Sequence, residues 1–253
     1  MSVQRFRWVF RLVTESRFAV SRVVWVVCLA LLVTVASSAA DTLFVEDGNY
    51  NVIKKFDASG VGSEFASSGL DLPSGLAFDR AGNLYVCNFL DDNIIKFNPS
   101  GQASIFVRGS GLSLPFGLAF DSEGNLYVSN AGNNTIVKFN SSGVGSVFAS
   151  SGLNNPRGLA FDSAGNLYVA NYFGSIEKFG PSGIGTVFAS GVPTPFGLAF
   201  DSAGNLYSAN GAGTVEKFDL GGRATIFANG LNLPAGLAFD SAGNLYVADI
   251  THI

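Results

Sequence analysis

Gly75-Leu-Ala-Phe-Asp-Arg-Ala-Gly-Asn-Leu-Tyr-Val-Cys-Asn88 recurs with few changes from Gly117, Gly158, Gly197 and Gly236. The copies start 39 to 42 residues apart, and self-similarity at that period belongs to a solenoid or a propeller rather than to a domain with one undivided core. Within a unit the apolar residues alternate at period two in short runs, as half-buried strands require. In the second unit four such runs, a to d, fall at 117–121, 125–130, 135–139 and 145–149. The a–b turn reads Asp-x-x-Gly-Asn in every copy; the Asp accepts backbone N–H bonds and the Gly takes a positive φ, so each turn closes a tight hairpin. An antiparallel four-stranded unit repeating about every 40 residues predicts an all-β fold, a β-propeller of four-stranded antiparallel blades.

The repeated Gly-Leu-Ala-Phe-Asp-x-x-Gly-Asn-Leu-Tyr-Val-x-Asn string resembles the NHL repeat and, more loosely, the wider six-bladed group of gluconolactonase and regucalcin-like propellers. The resemblance covers nearly everything from Asp41 onward. It implies the fold; propellers of this kind host enzymes, binding modules and scaffolds alike. Residues 41–47 match strand b, 51–56 strand c and 62–66 strand d, so the repeat region opens without a strand a, and 244–249 supply a last strand b. That pattern predicts a six-blade geometry with incomplete blades or, alternatively, five blades with an overlapping closure, because an open ring exposes strand edges.

Residues 1–40 are a different material. Arg5, Arg7, Arg11, Arg17 and Arg22 precede an uncharged apolar run over 23–36, and Ser38 and Ala40 are the small residues that suit cleavage before Asp41. Residues 1–40 read as a signal peptide, or as an N-terminal membrane anchor if uncleaved, and residues 41–253 as the propeller. The protein is expected in the secreted, periplasmic or cell-envelope space, with membrane contact only through an uncleaved leader. Without the leader the chain keeps 10 basic and 18 acidic side chains, a balance that disfavours nucleic acid.

Few residues suit catalysis. His252 is the only histidine, and no nucleophile elbow, phosphate loop or cysteine-rich metal motif occurs. The resemblance to gluconolactonases implies metal ligands just before the Gly that opens strand a. The matching residues are Ser74, Phe116, Arg157, Phe196 and Ala235, none a carboxylate or an amide. No cofactor is expected. A divalent cation such as calcium has one place to bind, the ring Asp47, Asn88, Asn130, Asn171, Asn210 and Asp249 at the ends of successive b strands. These residues either converge on the channel mouth or cap their own b–c turns.

Loop lengths carry the remaining signal. The segments holding the a–b and c–d turns have constant length, whereas the b–c and d–a connections, on the opposite face, vary. Only the variable face carries connection aromatics: Tyr50, Phe89, Phe116, Tyr172, Phe173 and Phe196. They serve recognition or plug the channel. The expected ligand-binding set is Phe89, Phe116, Arg157, Tyr172, Phe173 and Phe196, with Arg157 as polar anchor. The leading expectation is an exported, non-enzymatic module for a protein, peptide or glycan, and the alternative is a lactonase-like hydrolase or a streptogramin-lyase-like enzyme.

Overall fold

The computed structural model describes residues 32–35 (backbone), 42–57 and 59–249. They form five four-stranded antiparallel sheets and a sixth sheet of two strands. The innermost strands are Leu32–Val35, Pro73–Phe78, Pro115–Phe120, Pro156–Phe161, Pro195–Phe200 and Pro234–Phe239, and each lies against the next around a ring that Leu32–Val35 closes between the second and sixth sheets. No helix is present among the described residues. The fold is the expected propeller.

Two points differ from the sequence reading. Strand a begins at the Pro rather than at the Gly, with a β-bulge against strand b, as in the pairing of Pro115 with Asn130 and Leu118 with Val128; proline is tolerated there because it opens the strand. The first sheet also has an inner strand, for Leu32–Val35 pairs antiparallel with Thr42–Asp47. That strand comes from the segment read as leader. The remainder of the leader and the junction at Ala40 and Asp41 lie outside the described residues.

The inner ring is built on backbone contact. A Cβ at Gly75 would fall within 3.0 Å of the Phe116 carbonyl oxygen, and one at Gly117, Gly158 or Gly197 would meet the carbonyl of Arg157, Phe196 or Ala235 in the same way. These glycines adopt no unusual φ, so the repeat keeps Gly there for space alone. Further out, an aromatic trio holds each of the five pairs of blades that follow one another in sequence. Tyr127 of one strand b stands edge-on to Phe148 of its own strand d at 4.9 Å and to Phe161 of the next strand a at 5.0 Å. Phe44, Tyr85, Tyr168 and Tyr207 repeat the arrangement. Edge-to-face pairs add about 0.5–1.5 kcal/mol each beyond area burial.

The a–b turns fold as the motif predicts. Asp79 Oδ1 accepts the N–H groups of Ala81 and Asn83, both at 2.9 Å, Oδ2 accepts Asn83 Nδ2 at 2.7 Å, and Gly82 sits at φ +80°. Lys96 Nζ lies 3.7 Å from the same carboxylate and 5.1 Å above the Tyr85 ring. The repeated lysines therefore clamp strands within one blade. Burial alone would raise the pKa of Asp79, but the bonds from Asn83 and Ala81 and the charge of Lys96 outweigh it and hold the carboxyl below its ordinary value. Asp121, Asp162 and Asp201 behave alike.

Two outcomes follow from these contacts. Gly158→Ala should lower the denaturant-unfolding free energy by about 1–3 kcal/mol through overpacking. Gly180→Ala, whose Cβ meets nothing within 4 Å, should change it by less than about 0.5 kcal/mol. Because the four turn carboxyls titrate lower when folded, the stability they give is complete above the unfolded value of 3.8 and is lost as pH falls through the folded values. Thermal midpoints should drop below that pH, and less steeply in Asp162→Asn.

Candidate functional site

The second residue of each described full-length strand a, Ser74, Phe116, Arg157, Phe196 and Ala235, occupies one register position in a ring of strands. That geometry brings them together at the end of the channel that carries the variable connections. The Phe116 and Phe196 rings lie 6.3 Å apart with Ala235 packed beside them. Phe89 and Tyr172, from two b–c connections, close on the same cluster, Tyr172 edge-on to Phe196 at 5.3 Å and Phe89 edge-on to Phe116 at 6.3 Å. Phe116 is 0 % and Phe196 8 % exposed. Of the two roles open to these aromatics, the structure gives Phe116 and Phe196 the plug.

Arg157 is set into that plug. Its guanidinium carbon lies 4.1 Å from the centre of the Phe116 ring, 5.4 Å from Tyr172 and 5.9 Å from Phe196. Nε donates to Asn155 Oδ1 at 2.7 Å, while Nη1 is buried with no hydrogen-bond partner. Burial pulls the pKa of the guanidinium down to about 10, against an opposing effect of Tyr172. Phe173, next to Tyr172 and edge-on to it at 5.1 Å, points outward and is 68 % exposed.

The described asparagines at the ends of the b strands bond across their own b–c turns, as the capping expectation has it, and most of them reach a second segment as well. Asn88, Asn130 and Asn210 are 0 % exposed and Asn171 is 2 % exposed. Asn171 Oδ1 accepts the Asn154 N–H at 3.0 Å, and Nδ2 donates to Gly152 O at 2.9 Å and Ser175 Oγ at 3.1 Å. Asn88 holds Asp71, Gly69 and Asn93 in the same way. Asn130 and Asp249 likewise accept from Ser113 and Asn232. These side chains tie the incoming d–a connection to strand b, Asn88, Asn130 and Asn171 also bond the first residue of strand c across their own b–c turns, and Asp47 caps its turn through Asn49 and Tyr50. Asn210 bonds Ser208 and Thr214 within its own sheet.

Two features escaped the sequence reading. Leu72, Leu114, Asn155, Thr194 and Leu233, each just before the Pro of strand a, have φ between 46° and 54°. A residue before proline is ordinarily driven to extended backbone, so this is a strained position held by its surroundings. Leu72, Leu114 and Asn155 donate their N–H groups to Asn51, Asp92 and Asn134 of the preceding blade at 2.6–2.8 Å. Their carbonyls accept the N–H of Phe89, Ala131 and Tyr172. The strained residue thereby fixes the backbone of two plug aromatics and, through Asn155, the guanidinium. The repeated x-Pro before strand a was the available signal. The second feature is Glu46, 0 % exposed in a strand-b place filled elsewhere by Cys87, Ser129 and alanines. Burial first, and the charge of Glu46 second, push the Cys87 thiol well up.

No protein-family model matches the sequence, and no curated protein matches it. Solved structures do. The gluconolactonase XC5397 of Xanthomonas campestris superposes with a TM-score of 0.76 at 22 % identity, over 88 % of this chain and 83 % of that one. A chain of the nidogen/laminin complex gives 0.73 at 23 % identity, over 82 % and 84 %. Virginiamycin B lyase from Staphylococcus aureus gives 0.69 at 16 % identity, over 87 % and 78 %. This chain shares their propeller fold. A gluconolactonase, a lyase and a chain of a protein complex share this fold, so its own function has to be argued from its own mouth residues.

Asn171→Ala should reduce stability by about 1–3 kcal/mol, since the Asn154 N–H and the Gly152 carbonyl lose their partner. Equilibrium urea unfolding measures it. A neutral result would mean that the asparagine ring does not hold the d–a connections.

Proposed function

We propose that the chain is an exported, non-enzymatic binding propeller that engages a protein, peptide or glycan through the face bearing the b–c and d–a connections. The observation that carries this reading is the set of exposed apolar side chains on the b–c connections, of which Phe173 and Leu90 adjoin the cluster residues Tyr172 and Phe89 in sequence. Tyr50, Leu90 and Phe173, all on b–c connections, are 62 %, 58 % and 68 % exposed. Large apolar groups held out to solvent on a loop face mark recognition surfaces. The opposite face also exposes Val61, Val144 and Ile184 at one repeated turn position, and Leu220 at 90 %, but these are single aliphatic residues with no aromatic among them.

The chemistry of the mouth supports binding over catalysis. Its strand-a residues are a hydroxyl, two phenyl rings, a guanidinium and a methyl group, and among the described residues no three His, Cys, Asp or Glu side chains gather. The carboxylates of the repeat are engaged in turns. Export rests on the arginine-rich, apolar composition of residues 1–40; mass spectrometry of the native protein tests it, a start at Asp41 meaning cleavage that removes the strand Leu32–Val35 from the ring and a start upstream of Leu32 meaning a segment retained as part of the fold.

The experiment is partner capture from the secreted or envelope fraction, followed by titration of the captured molecule. Phe173→Ala and Tyr50→Ala should each weaken binding by about 1–3 kcal/mol, while Glu123→Ala and Gln102→Ala on the opposite turns leave it unchanged. The reverse pattern would assign recognition to the other face. Phe116→Ala is no probe of binding, since truncating a fully buried Phe costs about 3–5 kcal/mol of stability.

A further inference from the structure

We propose that the channel mouth receives one carboxylate, an acidic side chain of a partner peptide, seated on Arg157 beside Phe116 and Tyr172; this rests on the binding reading above. Arg157 is 8 % exposed, its Nη1 has no hydrogen-bond partner, and no carboxylate of the described residues lies within 4.0 Å. A buried charge without a counter-ion is unfavourable, and replacing it with an apolar side chain of similar volume is commonly neutral or stabilising. Stacking on Phe116 and the bond to Asn155 offset part of that cost, but Nη1 is left unsatisfied. The other inner strands place Ser, Phe, Phe and Ala at the same position.

The surroundings specify the ligand. Phe116 lies against the guanidinium at 4.1 Å, and a ring stacked on that face leaves the in-plane N–H groups for an acceptor. Asn155 takes Nε and Nη1 remains. A planar carboxylate matches that fork. Tyr172 is a half-buried member of the cluster, stands on a b–c connection and lies 5.4 Å from the guanidinium carbon, so its displacement is the route by which a carboxylate would reach Nη1 from the variable face. Tyr50, Leu90 and Phe173 on the b–c connections call for apolar groups flanking the carboxylate. A free small anion offers none, and a polyanion meets a chain with 19 acidic and 15 basic residues.

Calorimetric titration of the full chain with the blocked peptide acetyl-Leu-Tyr-Glu-Tyr-Leu-amide and its Gln counterpart tests the proposal. The Glu peptide should bind at least about tenfold more tightly, as a hydrogen bond to a charged group implies. Arg157→Met should erase the difference, and Phe173→Ala should weaken both peptides alike. Arg157→Met should also leave the thermal midpoint of the free protein unchanged or raised. Equal affinity for the two peptides, binding of neither, or a clear fall in the midpoint of Arg157→Met would overturn the carboxylate assignment. Equal affinities that still fall in Phe173→Ala would leave the binding face standing. Equal affinities insensitive to Phe173 would remove that face as well.

Discussion

The contact on which the molecule depends is the one between neighbouring inner strands, where the backbone of one blade meets the carbonyl of the next with no room for a Cβ. Gly75, Gly117, Gly158 and Gly197 each make it. Such an approach draws the sheets into a tight ring, and the aromatic trios farther out then fill the wedge between blades that a radial arrangement leaves. Strand b is buried on both sides as a result, and strand d stays exposed at the rim.

The tight ring also explains the plug. Side chains one residue before those glycines converge on a narrow axis, so two phenylalanines from different blades are enough to close its mouth. Polar chemistry is consumed in building this. Each a–b carboxylate takes backbone and side-chain bonds from its own turn. Three of the strand-b asparagines hold the connection arriving from the previous blade. What remains with unspent hydrogen-bonding capacity in the cluster is one guanidinium edge.

The strained residues before the strand-a prolines connect these levels. Each sits in the left-handed region, and three of them are tied to the preceding blade by a side-chain oxygen. Closure of the ring thereby sets the position of the b–c loop carrying Tyr172 and of the asparagine that orients Arg157.

Much of this was legible in the chain. The 39–42 residue period, the alternation within each run and the Asp-x-x-Gly-Asn turns determined a four-stranded propeller blade, because those features are local and repeat. The variable face was legible from loop length. Three things were not. An asparagine at a strand end looks the same whether it caps its turn, faces a channel or reaches a loop 17 residues away, as Asn171 does to Asn154. A phenylalanine before strand a looks the same whether exposed or sealed, and only the closed ring decided that Phe116 is buried while Phe173 is not. The inner strand Leu32–Val35 falls in a stretch whose apolar composition fits a leader equally well. Each of these depends on which segments the ring brings together across the axis, and local pattern carries no record of that.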